Sequence, residues 1–254
     1  MKTSFNISIL GGRGYVGQEI IKIINNHPNF FISDIYSKTS QGKLVDDYTK
    51  SKSLTYKLLD SPDKLDFTDI DIVIMALPNN ESSKYIKNIE KYDSNIIIID
   101  ISADYRFDDG WAYKLPELAA PSSDKRISNP GCYASAIQFS LLPIKHLING
   151  RVSCMGISGY SGAGASPNDK NDPRNLEGNI IPYSLSGHIH EKEVIKHCYK
   201  EISFSPHVAN FFRGILVTSH IQLTKKASSR QICELYKSFY SDKKLIRVIE
   251  EIPM

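Results

Sequence analysis

The spacing of apolar residues divides the chain into two regions of different rhythm. Phe5–Leu10 is a short β-like run. Ile20, Ile21, Ile23 and Ile24 then share one helical face, which stops at Asn25-Asn26-His27-Pro28. Further strands are predicted at Phe30–Tyr36, Ile72–Ala76 and Ile96–Ile99, and the last two are the continuous apolar runs of parallel strands buried on both faces. Ser82–Glu90 has helical character, and a short strand near Thr55–Leu58 interrupts a polar excursion from Asp46 to Asp69. Four strands alternating with helical stretches predict an α/β fold with a parallel sheet and crossover helices, a Rossmann-type domain over residues 1–150.

Past Gly150 the pattern changes. Val152–Tyr160 and the alternating Ile215–Leu223 predict strands, while His188–Tyr199 and Ala227–Tyr240 predict helices. A long Asn-, Asp-, Pro- and Gly-rich connection from Pro167 to Gly187 joins them, and such a loop inside a compact domain is usually functional. Residues 151–254 are therefore expected to form a second, α+β domain.

Two stretches carry candidate chemistry. The first is Gly11-Gly12-Arg13-Gly14-Tyr15-Val16-Gly17, set between a predicted strand and a predicted helix. That context gives a glycine turn its meaning: the backbone can approach a pyrophosphate seated on the helix N-terminus. Where a ribose-binding carboxylate would end the second strand, the chain has Ser37-Lys38, which suits a 2′-phosphate and predicts NADP. The second stretch is Asn129-Pro130-Gly131-Cys132-Tyr133. Pro130 and Gly131 break regular structure, and Ala134–Leu142 is predicted helix, so Cys132 falls among the first free N–H groups of that helix. Those groups favour a thiolate nucleophile and can hold an oxyanion. His188 or His190 could serve Cys132 as acid/base, and Arg106 could reach the same crevice to bind phosphate or could pair with Asp104 or Asp108.

Composition narrows the picture further. With 254 residues, 41% hydrophobic and 23% charged, the chain is of ordinary globular make-up. A net charge of +3, without basic blocks, gives no nucleic-acid footprint. The longest apolar run, bounded by Asn95 and Asp100, is a strand's length, so no membrane partner is predicted. Cys132, Cys154, Cys198 and Cys233 lack C-x-x-C spacing, so neither metal nor disulfide is expected. The histidine pair at i, i+2 is not a zinc motif. Reduced cysteines and a first strand that begins at Phe5, leaving no room for a leader, predict the cytoplasm.

Taken together, these stretches resemble the N-acetyl-gamma-glutamyl-phosphate reductases of arginine biosynthesis. The likeness rests on Gly11–Gly17, Ser102–Arg106, Asn129–Tyr133, Ser158-Gly159-Tyr160-Ser161-Gly162-Ala163-Gly164, His188-x-His190-x-x-Glu193, Pro167–Leu185 and Pro206–Gly214. It implies NADPH-dependent reduction of an acyl phosphate to a semialdehyde through a thioester on Cys132. His190 or His188 would move protons, with Glu193 able to orient the ring, and Ser161, Gly162 and Ala163 would approach the nicotinamide. Arg106, Asn129, Glu193 and Arg213 would lie at the substrate. The resemblance also implies a homo-oligomer, dimer or tetramer, and a further strand and closing helix with an Asn-Leu-x-Lys-Gly-Ala-Ala-type sequence, which does not occur in these residues. Two other readings stay open: the same chemistry on aminoadipyl or aspartyl phosphate, or a non-catalytic NADP-binding remnant.

Overall fold

The structure is a computed structural model that describes residues 2–252. It divides into two compact units. The first runs to Lys114 and takes in Pro121–Pro130; the second comprises Leu115–Ala120 and the chain from Gly131 onward. The division thus falls at Pro130/Gly131 rather than at Gly150. The helix that carries Cys132 packs its Tyr133, Ile137 and Leu141 into the core of the second unit, and that burial draws it there.

In the first unit, strands β1 (Phe5–Leu10), β2 (Phe30–Ser37), β3 (Lys57–Leu58), β4 (Ile72–Met75), β5 (Ile97–Asp100), β6 (Ala112–Tyr113) and β7 (Arg126–Ser128) form one sheet, in the order β3-β2-β1-β4-β5-β7-β6. Every pairing in it is parallel. Helices α1 (Tyr15–Asn26) and α2 (Ser83–Tyr92) cover opposite faces. Alternation along β1 shows why both are needed. Ile7 and Ile9 pack with Ile21, Ile24 and Ile35 on the α1 side, whereas Leu10 joins Val73, Met75, Ile89 and Ile98 on the α2 side. Each such aliphatic side chain contributes about 1.5–3 kcal/mol on full burial.

The second unit contains α3 (Cys132–Leu141), β8 (Val152–Gly159), α4 (Pro173–Leu176), β9 (Ile180–Pro182), α5 (Ile189–His197), β10 (Ile202–Ala209), β11 (Ile215–His220) and α6 (Ser229–Phe239). Its mixed sheet has the order β11-β8-β10-β9, with β8 and β10 parallel and both flanking pairs antiparallel. Val152, Cys154, Ile202 and Phe204 meet α3 and Val194 of α5 in one core. Met155, Ile180 and Leu216 remain exposed.

The sequence pattern misses four strands. β6, β7 and β9 are two or three residues long, too short for any period to show. β10 is disguised by Pro206, whose carbonyl accepts from Tyr183 one residue before its ladder with β9 begins at His207. Among the described residues no helix is long and apolar enough to cross a membrane.

Candidate active site

Cys132 is the first residue of α3, exposed, behind an extended Gly131 that supplies no side-chain cap. Helix α3 thus begins without a side-chain cap on its first turn. Gly131 itself is fixed from α5: its buried N–H donates to Glu193 Oε2 at 2.9 Å. The other oxygen, Oε1, lies 3.8 Å from His190 Nε2. One carboxylate, with no exposure to solvent, thus faces both the turn before Cys132 and the imidazole of His190. Glu193 is thus fully buried, where it can orient the histidine ring, and no face of it is open to solvent.

The two histidines, equivalent in sequence, are separated by the fold. His188 caps α5, its Nδ1 accepting the His190 N–H at 3.1 Å. Its ring stands edge-on to Tyr133, Tyr183 and Phe204. Burial, and after it the charge of Lys170, hold His188 below the ordinary histidine range, so the acceptor nitrogen stays unprotonated. His190, the second residue of the helix, is the ring that faces Glu193.

A hydroxyl cluster missed by sequence reasoning backs this site. Tyr133 is almost wholly buried, donates to the His207 carbonyl at 2.6 Å, and is hydrogen-bonded by Ser158 and Tyr183. Burial pushes both phenols up, and for Tyr183 the charges that Tyr133 and Cys132 would carry add to it. Both therefore stay protonated near neutrality. Tyr133, Ser158 and Tyr183 each fall in a stretch that carries the family resemblance, but nothing in the sequence shows that the three meet, and Tyr183 comes from a segment without periodicity.

After β8, Tyr160, Ser161, Gly162 and Ala163 form a single 3-10 turn. The amides of Tyr160 and Ser161 donate to the carbonyls of Phe211 and Phe212 at 2.9 Å each. Gly159 is required there, since a Cβ would come within 2.6 Å of the Phe211 carbonyl oxygen. Arg213, in the same laced pair of loops, is exposed and lies over the Phe212 ring at 5.3 Å.

In the first unit, the glycine turn has the form its spacing predicts. Gly11 has φ +88°, and a Cβ on it would run into the Ala76 carbonyl; a Cβ on Gly17 would reach 2.7 Å from the Gly11 carbonyl oxygen. The turn is sewn to β2 by the Gly11 and Gly12 amides, both donating to the Tyr36 carbonyl. Helix α1 starts at Tyr15 behind Gly14, with no side-chain cap and no acid in its first turn. Arg13, Tyr15 and Val16 are exposed beside it. An uncapped helix start without negative charge, approached by bare backbone, fits a pyrophosphate.

Ser37 and Lys38 end up in different surroundings. Ser37 is buried and its Oγ accepts from the Thr39 N–H at 3.3 Å; Lys38 is exposed, 3.7 Å from Glu81 Oε2. Asp34 is paired with Lys57 of β3. Arg106 is likewise not the outstretched fork expected. It is buried, and its guanidinium donates to the carbonyls of Ile101 and Asn129 at 2.9 Å each, tying the ends of β5 and β7. Asn129 turns its side-chain amide back to the Pro130 carbonyl at 3.1 Å.

Comparison with known proteins matches the two parts of the chain to separate family models. Residues 6–125 match the semialdehyde dehydrogenase NAD binding domain, and residues 132–254 match the semialdehyde dehydrogenase dimerisation domain. An N-acetyl-gamma-glutamyl-phosphate reductase from Xanthomonas axonopodis pv. citri is 40% identical over 97% of this chain and 79% of its own length. The reductase of that name from Stenotrophomonas maltophilia is 39% identical over 99% and 80%. Protein arg-6, mitochondrial, of Neurospora crassa is 43% identical over 97% of this chain, which spans 29% of that longer protein. Among solved structures, aspartate semialdehyde dehydrogenase II from Vibrio cholerae superposes with a TM-score of 0.73 at 16% identity, covering 91% of this chain and 78% of that one; it shares the fold. With family models matching both units and reductases of about 40% identity spanning them, the chain belongs to the N-acetyl-gamma-glutamyl-phosphate reductase family of semialdehyde dehydrogenases.

Proposed function

We propose that the protein reduces N-acetyl-glutamyl 5-phosphate to N-acetylglutamate 5-semialdehyde and phosphate, with NADPH as reductant, in arginine biosynthesis. The observation that carries this is the buried Glu193 carboxylate, which serves the Gly131 amide and faces His190 beside an exposed Cys132 at a helix start. Cys132 attacks the acyl carbon, phosphate leaves, and the acyl group rests on sulfur as a thioester. The first-turn amides of α3 hold the oxyanion of each tetrahedral stage. His190 takes the thiol proton and later returns one, oriented by Glu193; His188 keeps the helix start in place. NADPH, when bound, supplies the hydride that converts the thioester to the aldehyde. Its pyrophosphate is assigned to the Gly11–Gly17 turn and its 2′-phosphate to Lys38, with Arg13 alongside. Arg213 is the exposed cation assigned to the anionic end of the substrate.

The open sheet face with Met155, Ile180 and Leu216 is assigned to a second copy of the chain, giving a dimer or tetramer. Free cysteines fit a reducing compartment, and we assign the cytoplasm. The test is phosphate-dependent reduction of NADP⁺ by N-acetylglutamate semialdehyde. Activity that disappears in Cys132→Ser supports the reading. Absence of activity with this semialdehyde, together with turnover of aspartate semialdehyde, would reassign the substrate.

A further inference from the structure

The Ser102–Arg106 stretch has no part in the mechanism above, yet it is the centre of a dense buried network in the first unit. Asp100, at the end of β5, has no solvent exposure, and neither does Ser82; Ser102 has almost none. Asp100 Oδ1 accepts from Ser82 Oγ at 2.6 Å and Oδ2 from Ser102 Oγ at 2.7 Å. Ser102 Oγ in turn accepts the Asp104 N–H at 3.1 Å, which leaves its own proton for Asp100. Asp104 then reaches across to the loop after β4, accepting from the Asn80 amide at 2.6 Å and the Ser82 amide at 3.1 Å. Asn79 Oδ1 returns the contact by accepting from the Ala103 N–H at 3.0 Å.

This network sits where the first unit's ligand edge lies. In an open parallel sheet, ligands gather beyond the carboxyl ends of the strands. The loop it grips, residues 76–82, touches both determinants assigned to the dinucleotide. At one end the Ala76 carbonyl abuts Gly11 so closely that no Cβ fits between them. At the other end Glu81 approaches Lys38. Burial, and to a lesser degree the charge of Asp104, raise Asp100 from its ordinary range against the hydrogen bonds of Ser82 and Ser102, and a buried carboxylate is costly unless fully bonded. A simple surface loop needs no such carboxylate, so its presence calls for a task that requires a fixed loop.

We propose that Asp100, with Ser82, Ser102 and Asp104, is a positioning device for the dinucleotide, holding the 76–82 loop against the Gly11 turn and beside Lys38. This rests on the assignment of NADP(H) above. The network makes no contact with reacting atoms; it acts through the loop, so its loss weakens cofactor binding and leaves chemistry at saturation intact.

The test uses the full chain with Asp100→Asn and Ser102→Ala. Asn presents an NH₂ to one of two hydroxyls that both need an acceptor, and Ala removes one leg of the network. Calorimetric titration with NADP⁺ should show about a tenfold weaker Kd in each, the loss of one hydrogen bond to a charged group. The KM for NADP⁺ should rise by the same factor, with kcat within twofold of the parent. A merely structural role would lower kcat through a smaller active fraction and leave Kd and KM unchanged; that result overturns the proposal. Should Asp100→Asn fail to fold, Ser102→Ala decides alone. A parent chain that binds no NADP(H) overturns the cofactor assignment and this proposal with it, whereas variants binding as the parent does overturn this proposal only.

Discussion

Replacing Glu193 is the sharpest test of how the turn before Cys132 is held. In Glu193→Ala the Gly131 N–H loses the acceptor at 2.9 Å and stays buried. An unsatisfied buried donor costs about 1–3 kcal/mol. For a chain of this size each kcal/mol lowers the melting temperature by about 2–4 °C, so a fall of about 2–12 °C is expected. Glu193→Gln separates the two duties of the carboxylate. Its amide oxygen can still accept from Gly131, so most of the thermal stability should return. The charge facing His190 at 3.8 Å does not return. A ring displaced by about an ångström costs about 10²-fold in rate, and turnover in Glu193→Gln should fall by that order. Thermal melting and the phosphate-dependent assay, run side by side on both variants, check the two effects. Equal melting of Glu193→Ala and parent would refute the acceptor argument, and full activity in Glu193→Gln would refute the orienting role.

Three further outcomes are expected. Gly17→Ala should reduce NADP⁺ affinity at least tenfold in a binding titration, because its Cβ would sit 2.7 Å from the Gly11 carbonyl oxygen and force the turn apart. His188 has a folded-state value below its ordinary 6.5, so the unfolded chain takes up that proton first. Its contribution is complete above about pH 6.5 and is lost as pH falls through the folded value. His188→Asn keeps an acceptor for the His190 amide without titrating, and urea midpoints between pH 8 and 5 should decline less steeply than in the parent. Leu216→Asp, on the open face of the second sheet, should shift the protein toward monomer in light scattering.

Much of this protein could be read from its sequence, and the reasons differ by element. The parallel sheet was legible because β4 and β5 are buried on both faces, which forces continuous apolar runs. The glycine turn was legible because Gly11, with positive φ, and Gly17, under the Gly11 carbonyl, tolerate no side chain. Cys132 at a helix start followed from Pro130-Gly131, since those residues leave a helix nowhere else to begin. What the sequence could not determine was which polar side chain meets which. His188 and His190 are two residues apart and chemically identical; only the capping geometry of α5 makes one a helix cap and turns the other toward Glu193. Arg106 looked like a phosphate fork, yet its guanidinium is bound to the carbonyls of Ile101 and Asn129, groups whose positions depend on two strand ends far apart in the chain. Tyr183 joins Tyr133 and Ser158 only because β9 pairs with β10 across a long excursion. Local sequence determines backbone form through sterics and burial, which act over a few residues. Hydrogen bonds between buried side chains depend on sub-ångström placement of distant segments, and only the tertiary fold supplies that.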